Sequence, residues 1–119
     1  MNNTLGKGVL EISYEFSLCV VRLTAELNRK REYTLSKQLL KSGTSIGANV
    51  EEAQGALTKK DFIHKISIAY KEARETHYWI RLLRDTEHIS EQEYKNLQDS
   101  SLSLKKILAK ILITSKKNL

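Results

Sequence analysis

Side chains suited to metal binding or to acid–base and nucleophilic chemistry are sparse in this sequence. The histidines are His64, His77 and His88, and the single cysteine is Cys19. A di-metal centre in a helical bundle draws a Glu from each of two helices and a Glu-x-x-His pair from each of the other two. Asp85-Thr86-Glu87-His88 approaches that spacing, but at a helix end and mostly off the apolar stripe, so no metal site is expected. One cysteine allows neither an internal disulfide nor a zinc site built on paired cysteines. Cys19 falls on an apolar helical face, which reads as a small buried hydrophobe rather than a nucleophile. Thr34, Ser36, Ser42, Thr44 and Ser45 cluster, yet no Gly-x-Ser-x-Gly elbow is present. Gly43 and Gly47 stand four apart and form no phosphate-binding loop. The expectation is a protein with no catalytic residue, no cofactor and no small-molecule substrate: not an enzyme.

Charge is the stronger signal. Twenty Lys and Arg against fourteen Asp and Glu leave a net charge of +6. A charge of this size serves solubility in a small domain; it also suits an acidic partner such as RNA or DNA. Two clusters carry the second reading. One is Arg29-Lys30-Arg31. The other lies in residues 101–119, which hold Lys105, Lys106, Lys110, Lys116 and Lys117 and no acid. Arg29, Lys30, Arg31, Lys105, Lys106 and Lys110 are the candidate nucleic-acid-binding residues. Few aromatic side chains interleave them, so contacts to phosphates rather than stacking on bases are expected.

The elements that must position these residues are helices. A length of 119 residues gives one domain. The absence of proline permits long uninterrupted helices, and apolar residues recur at steps of three and four in four segments. Val9, Ile12, Phe16, Cys19, Leu23 and Leu27 mark the first, over about Val9 to Arg29. Leu35, Leu39, Ile46, Val50 and Ala53 mark the second, with Thr34 as its expected N-cap and Gly55 as its stop. The third follows Thr58, which precedes Asp61 as a cap does, and carries Phe62, Ile66, Ala69, Ala73, Thr76, Ile80 and Leu83. The fourth opens on Ser90-Glu91-Gln92-Glu93, a capping box, and carries Tyr94, Leu97, Ser101, Leu104, Leu108 and Ile111. Short joints favour antiparallel neighbours. The expectation is all-α: an antiparallel up-down-up-down four-helix bundle over residues 9–116, preceded by a flexible arm over residues 1–8. Apolar runs are far shorter than a membrane span and no secretory signal is visible, which predicts a cytoplasmic protein away from the membrane.

Two helices carry more than one bundle needs. In the second, Ser42, Ser45, Asn49 and Glu52 form a polar stripe beside Gly43, Gly47 and Ala48. Glycine inside a helix costs about 1 kcal/mol relative to alanine, so a close approach by another backbone must offset it, either within one subunit or between subunits. The third helix adds Ile63, Ile68, Tyr78, Trp79 and Leu82 to its main stripe. That surplus suits a contact between copies, with Trp79 as core the competing reading. Its Glu72, Glu75, Arg74 and Arg81 read as a salt-bridged outer face.

The segments Ser42-Gly43-Thr44-Ser45-Ile46-Gly47-Ala48-Asn49-Val50-Glu51-Glu52-Ala53 and Lys71-Glu72-Ala73-Arg74-Glu75-Thr76-His77-Tyr78-Trp79-Ile80-Arg81-Leu82-Leu83 resemble the four-helix-bundle family of the 23S ribosomal RNA intervening-sequence proteins, over about Phe16 to Ile113. The chain is also similar to the accessory variability protein of diversity-generating retroelements, a basic ring of bundles that binds nucleic acid. The resemblance implies a bacterial cytosolic protein that assembles into a ring, a homopentamer, with no established enzymatic role. The family's motif positions fall here on Ser45, Ile46, Asn49, Glu52, Glu72, Glu75 and Trp79. Of these, Ser45, Asn49, Glu52, Glu72, Glu75 and Trp79 are the candidate oligomer interface. The leading functional expectation is a ring that binds nucleic acid, with RNA linked to the ribosome foremost. The alternative is a structural or adaptor protein that recruits another protein and has no nucleic-acid role.

Overall fold

Helical spacing in the sequence becomes four helices in space: α1 (Leu5–Arg29), α2 (Tyr33–Gln54), α3 (Lys59–Asp85) and α4 (Glu91–Lys117). The structure, a computed structural model, describes residues 5–118. No strand occurs among them. The arm expected over residues 1–8 is shorter than the glycines suggest, because α1 already begins at Leu5 and takes in Gly6 and Gly8. Burial of Val9 helps offset their helix penalty; residues 1–4 of that arm lie outside the described residues. At the other end α4 runs to Lys117.

Each joint is set by local chemistry. Ser90 and Glu93 close the capping box, with Ser90 Oγ accepting from Glu93 N at 3.1 Å and Glu93 Oε1 accepting from Ser90 N at 2.8 Å. Thr58 Oγ1 accepts from Asp61 N at 3.0 Å, and Gly55 ends α2. The N-cap of α2 is Glu32, not Thr34. The chain leaves α1 through Arg31 in the left-handed region (φ 63°), and that turn brings the Glu32 carboxylate onto Leu35 N at 3.1 Å. Glu87 makes the same left-handed step (φ 62°) between α3 and α4. Glu32 also reaches His88 Nε2 at 3.3 Å, so the α1–α2 and α3–α4 joints meet at one end of the molecule.

Partners pair in opposite senses along neighbouring helices, as antiparallel packing requires. Ser42 meets Thr76 and Glu52 meets Lys65 between α2 and α3. Thr24 O accepts from Ser36 Oγ at 3.1 Å between α1 and α2. The predicted stripes form the core: Phe16, Leu27, Leu39, Ile46, Ile66, Ile80, Leu83, Leu104 and Leu108 are all buried. Cys19 is an exception. It is exposed, because α1 turns that edge of its stripe toward α4, the neighbour it touches least. Helix α2 packs most extensively, against both α1 and α3.

The two helical glycines explain that packing. A Cβ on Gly43 would stand 2.8 and 2.9 Å from the methyls of Val20, and one on Gly47 would stand 3.1 Å from Ser17 Oγ and 3.3 Å from the Ser13 carbonyl oxygen. The close approach is therefore α1 of the same chain, and the polar stripe beside the glycines is free to face elsewhere. Val20 is fully buried and β-branched, so its methyls cannot swing aside. Gly43→Ala is expected to lower stability by about 1–2 kcal/mol despite alanine's better helix propensity. In urea unfolding, pairing it with Val20→Ala is expected to cost less than the sum of the two single changes; a stabilised Gly43→Ala would contradict the close approach.

Candidate nucleic-acid and subunit interfaces

The predicted interface residues Ser45, Asn49, Glu52, Glu72, Glu75 and Trp79 share one seam, where α2 meets α3. Spacing places Ser45, Asn49 and Glu52 on the side of α2 that faces α3, and Glu72, Glu75 and Trp79 on the side of α3 that faces α2. Beneath them Thr76 Oγ1 lies 2.7 Å from the Glu72 carbonyl oxygen and 3.0 Å from Ser42 Oγ. Its one proton serves the carbonyl, so Ser42 donates to it and the buried pair is satisfied. Higher in the seam Asn49 Nδ2 donates to the Ser45 carbonyl at 2.8 Å, and Ser45 Oγ donates to the Lys41 carbonyl at 2.6 Å. Glu52 is exposed and pairs with Lys65 Nζ at 2.7 Å. Trp79 is half-buried; its Nε1 donates to Glu75 Oε2 at 3.1 Å, and Tyr78 stands edge-on at 5.0 Å between ring centroids. The indole is therefore neither core nor fully free.

Charge on α3 is sorted by side. Glu72 and Glu75 lean toward α2. Burial, then the charge of Glu75, raises the Glu72 pKa, against the pull of Lys71 and Lys41. Arg74, His77, Arg81 and Arg84 lie toward α4. Arg84 pairs with Asp85 Oδ1 at 2.7 Å and lies 4.1 Å over the Tyr94 ring. The salt-bridged outer face expected of α3 does not form. Among the described residues no acid lies within ion-pair reach of Arg74 or Arg81, and Arg81 instead lies 5.9 Å from the Tyr78 ring centroid. Residues Glu72 to Arg81 alternate in sign, but the helical turn puts the two signs on different flanks.

The six candidate nucleic-acid residues do not form one patch. Arg29, Lys30 and Arg31 occupy the end where α1 passes into α2, and Arg29 is bound to Glu26, whose pKa falls through that hydrogen bond and charge. Lys105, Lys106 and Lys110 sit in the second half of α4, roughly 20 Å or more along the axis from that end at 1.5 Å per residue. Lys105 is half-buried in the α3–α4 seam, while Lys106 and Lys110 are exposed and one turn apart on the outer face of α4. Sequence reading missed the contribution of α3 to this basic side. Its arginines hid within an alternating-sign run, and only the spacing relative to the core stripe separates them.

His77 belongs to the α3–α4 seam. Its Nδ1 is buried with no hydrogen-bond partner. Burial lowers its pKa, and the charges of Arg81, Lys105 and Arg84 lower it further. No cluster of His, Cys, Asp or Glu able to hold a metal occurs among the described residues. That includes Asp61 and His64, which repeat the three-residue spacing at the start of α3 and are both exposed there.

Between α1 and α4 the bundle is open. One cavity of about 360 Å³ is lined by Phe16, Cys19, Leu23 and Leu97 with Glu26 and Glu93 at its edge. A second, of about 460 Å³, shares Phe16 and Cys19 and adds Glu15 and Asp99. No described helix is long and apolar enough to cross a membrane.

Residues 8–110 match the family model of the 23S rRNA-intervening sequence protein, a span that takes in all of α2 and α3 and most of α1 and α4. The chain belongs to the 23S rRNA-intervening sequence protein family. A solved relative agrees in shape: the crystal structure of a protein of unknown function from the S23 ribosomal protein family of Bacteroides thetaiotaomicron VPI-5482. It is 43% identical, covers 92% of this chain and 98% of its own, and has a TM-score of 0.89. No curated protein matches. In this intervening-sequence protein the recognisable motif residues of α2 and α3 thus converge on one seam, with the helix-packing glycines turned away from it.

The two perturbed groups of α3 predict opposite pH effects. Glu72 is held above its usual pKa, so its ionisation opposes folding at neutral pH and that penalty fades as pH falls through the raised value. Glu72→Gln is expected to raise the melting temperature at pH 7, with the advantage shrinking as pH falls through the raised value and gone once pH drops below the ordinary carboxylate range. His77 is held below its usual value, so its neutral ring contributes stability above about pH 6.5 that is lost as pH falls from there toward the folded pKa. His77→Gln is expected to flatten stability between pH 7 and 5; melting curves that keep the wild-type slope would contradict this assignment.

Proposed function

We propose that this protein is a non-enzymatic bundle that assembles into a ring, a homopentamer, and binds nucleic acid through its basic surface, with ribosomal RNA the first candidate. The observation that carries this is the exposed pair Lys106 and Lys110, one turn apart on the outer face of α4, where no acid is within ion-pair distance among the described residues. Unpaired lysines on a stiff helix are free to displace counterions from a phosphate backbone. The net charge of +6 supports the same reading, as does the family description, which names the intervening sequence of 23S rRNA. Arg29 is the weakest of the candidate contacts, since Glu26 already holds its guanidinium. Lys30 and Arg31, exposed at the bundle end, stay available. The cytoplasm is the compartment this reading requires.

A ring repeats each weak cationic pair several times, which converts modest phosphate contacts into avidity. The surface of α3 supports assembly: Tyr78 is 47% exposed beside half-buried Trp79, and a lone bundle gains nothing from an aromatic ring left in water. A second reading, an adaptor that recruits another protein, draws on the apolar groove between α1 and α4.

Mobility-shift titration of 23S rRNA fragments over a salt series tests the first reading. Binding is expected to weaken steeply as salt rises, and Lys106→Ala with Lys110→Ala is expected to lower the slope of log affinity against log salt by about one to two per engaged subunit. Absence of a salt-sensitive shift, or a double variant that binds as wild type does, would overturn it. Recovery of a protein partner after nuclease treatment, with no retained RNA, would favour the adaptor.

A further inference from the structure

We propose that the groove between α1 and α4 is filled by the outer ridge of α3 from a second copy of this chain, head to tail; this rests on the ring reading above and names the two faces that meet. The groove is apolar at its floor, with Phe16, Leu23 and Leu97, and mainly acidic at its rim, where Glu15, Glu26, Glu93 and Asp99 outnumber Arg22. Such a surplus of acid around an apolar slot is unexpected on a chain of net charge +6. Its complement is present on the same molecule. The α3 ridge carries Tyr78, 47% exposed, beside the arginines Arg74 and Arg81, which no acid pairs among the described residues. An aromatic anchor flanked by arginine is the composition of an interface core. Trp79 and Glu75, bonded to each other on the α2 side of α3, flank this ridge without belonging to it.

The two faces also match in level. Glu32 meets His88 where α1 and α3 end and α4 begins. At 1.5 Å per residue, Arg74 to Arg84 lie within about 17 Å of that end, and the groove residues Glu26 to Ile12 and Glu93 to Ser103 lie between about 3 and 26 Å from it. A cyclic assembly about an axis parallel to the helices keeps every residue at its own level. Complementary patches must then share a level, and these do. Their directions fit closure too. Helix α3 sits diagonally across from α1, whose backbone it does not approach closely, and beside α4. Groove and ridge are therefore neither on one side nor on opposite sides, so successive copies curve round instead of running straight. The short way from groove to ridge passes over α4, which places α4, with Lys106 and Lys110, toward the axis of the ring.

Light scattering on charge-reversed chains tests the pairing. Arg74→Glu with Arg81→Glu spoils the ridge; Glu15→Lys with Asp99→Lys spoils the groove. Each pair is expected to reduce the assembly to the 13.7 kDa monomer with unchanged helical circular dichroism. An equimolar mixture is expected to regain mass beyond either chain alone, because intact ridge then meets intact groove and reversed ridge meets reversed groove, and all four changes in one chain are expected to restore the larger mass for the same reason. Should the reversed ridge fail to fold, Arg74→Gln with Arg81→Gln is expected to dissociate at lower salt than wild type. Wild-type mass in either reversed chain, or failure of the fourfold chain to reassemble, would overturn the pairing and leave the ring reading standing. A monomeric wild type would overturn both.

Discussion

The close approach of α1 to α2 at Gly43 and Gly47 is the constraint on which the arrangement depends. With no Cβ between them, the α2 backbone settles onto Val20, Ser17 and Ser13 of α1. Helix α2 packs as extensively on its other side, against α3. The looser contact is between α1 and α4, where Phe16, Cys19, Leu23 and Leu97 line a cavity.

The same geometry separates functions by face. Tight α2–α3 packing satisfies its buried hydroxyls internally through Ser42 and Thr76, so the outer seam is left to Asn49, Glu75 and Trp79. Arginine and lysine gather on the α3–α4 side, and the cost shows at His77, whose neutral ring is the form that burial and three cations favour. Acid gathers on the rim of the slack seam. A chain with one net sign therefore presents faces of both signs, the arrangement that directs like molecules to meet in one orientation.

The sequence made the helices and the core legible because four-three spacing reports burial directly. Leu39, Ile46, Ile66, Ile80 and Leu104 all lie where their stripes put them. Caps were legible where a hydroxyl carried them, at Thr58 and Ser90. Thr34 was misleading, since the true cap is set by the left-handed turn at Arg31, which side-chain type does not announce. Cys19 misled for a different reason. It lies on the edge of its stripe, and whether an edge residue is covered depends on how far apart two helices stand, which periodicity does not encode. The α2 glycines signalled a close approach, but only the structure assigns it to α1 of the same chain. The basic clusters were legible as composition and not as a surface: Arg29 and Lys110 are distant in space, while the arginines of α3 join Lys105 through the fold.

The central claim is that the α1–α4 seam, open in the single chain, is covered when the protein assembles. Cys19 is exposed in that seam and is the only cysteine, so its thiol reports on the seam alone. The most direct measurement is the rate at which a maleimide modifies the native protein at micromolar concentration, set against the unfolded chain at the same pH. The account predicts modification many-fold slower in the native protein, with the rate recovering when assembly is broken. A native thiol that reacts as fast as the unfolded one would show the seam uncovered and contradict the account.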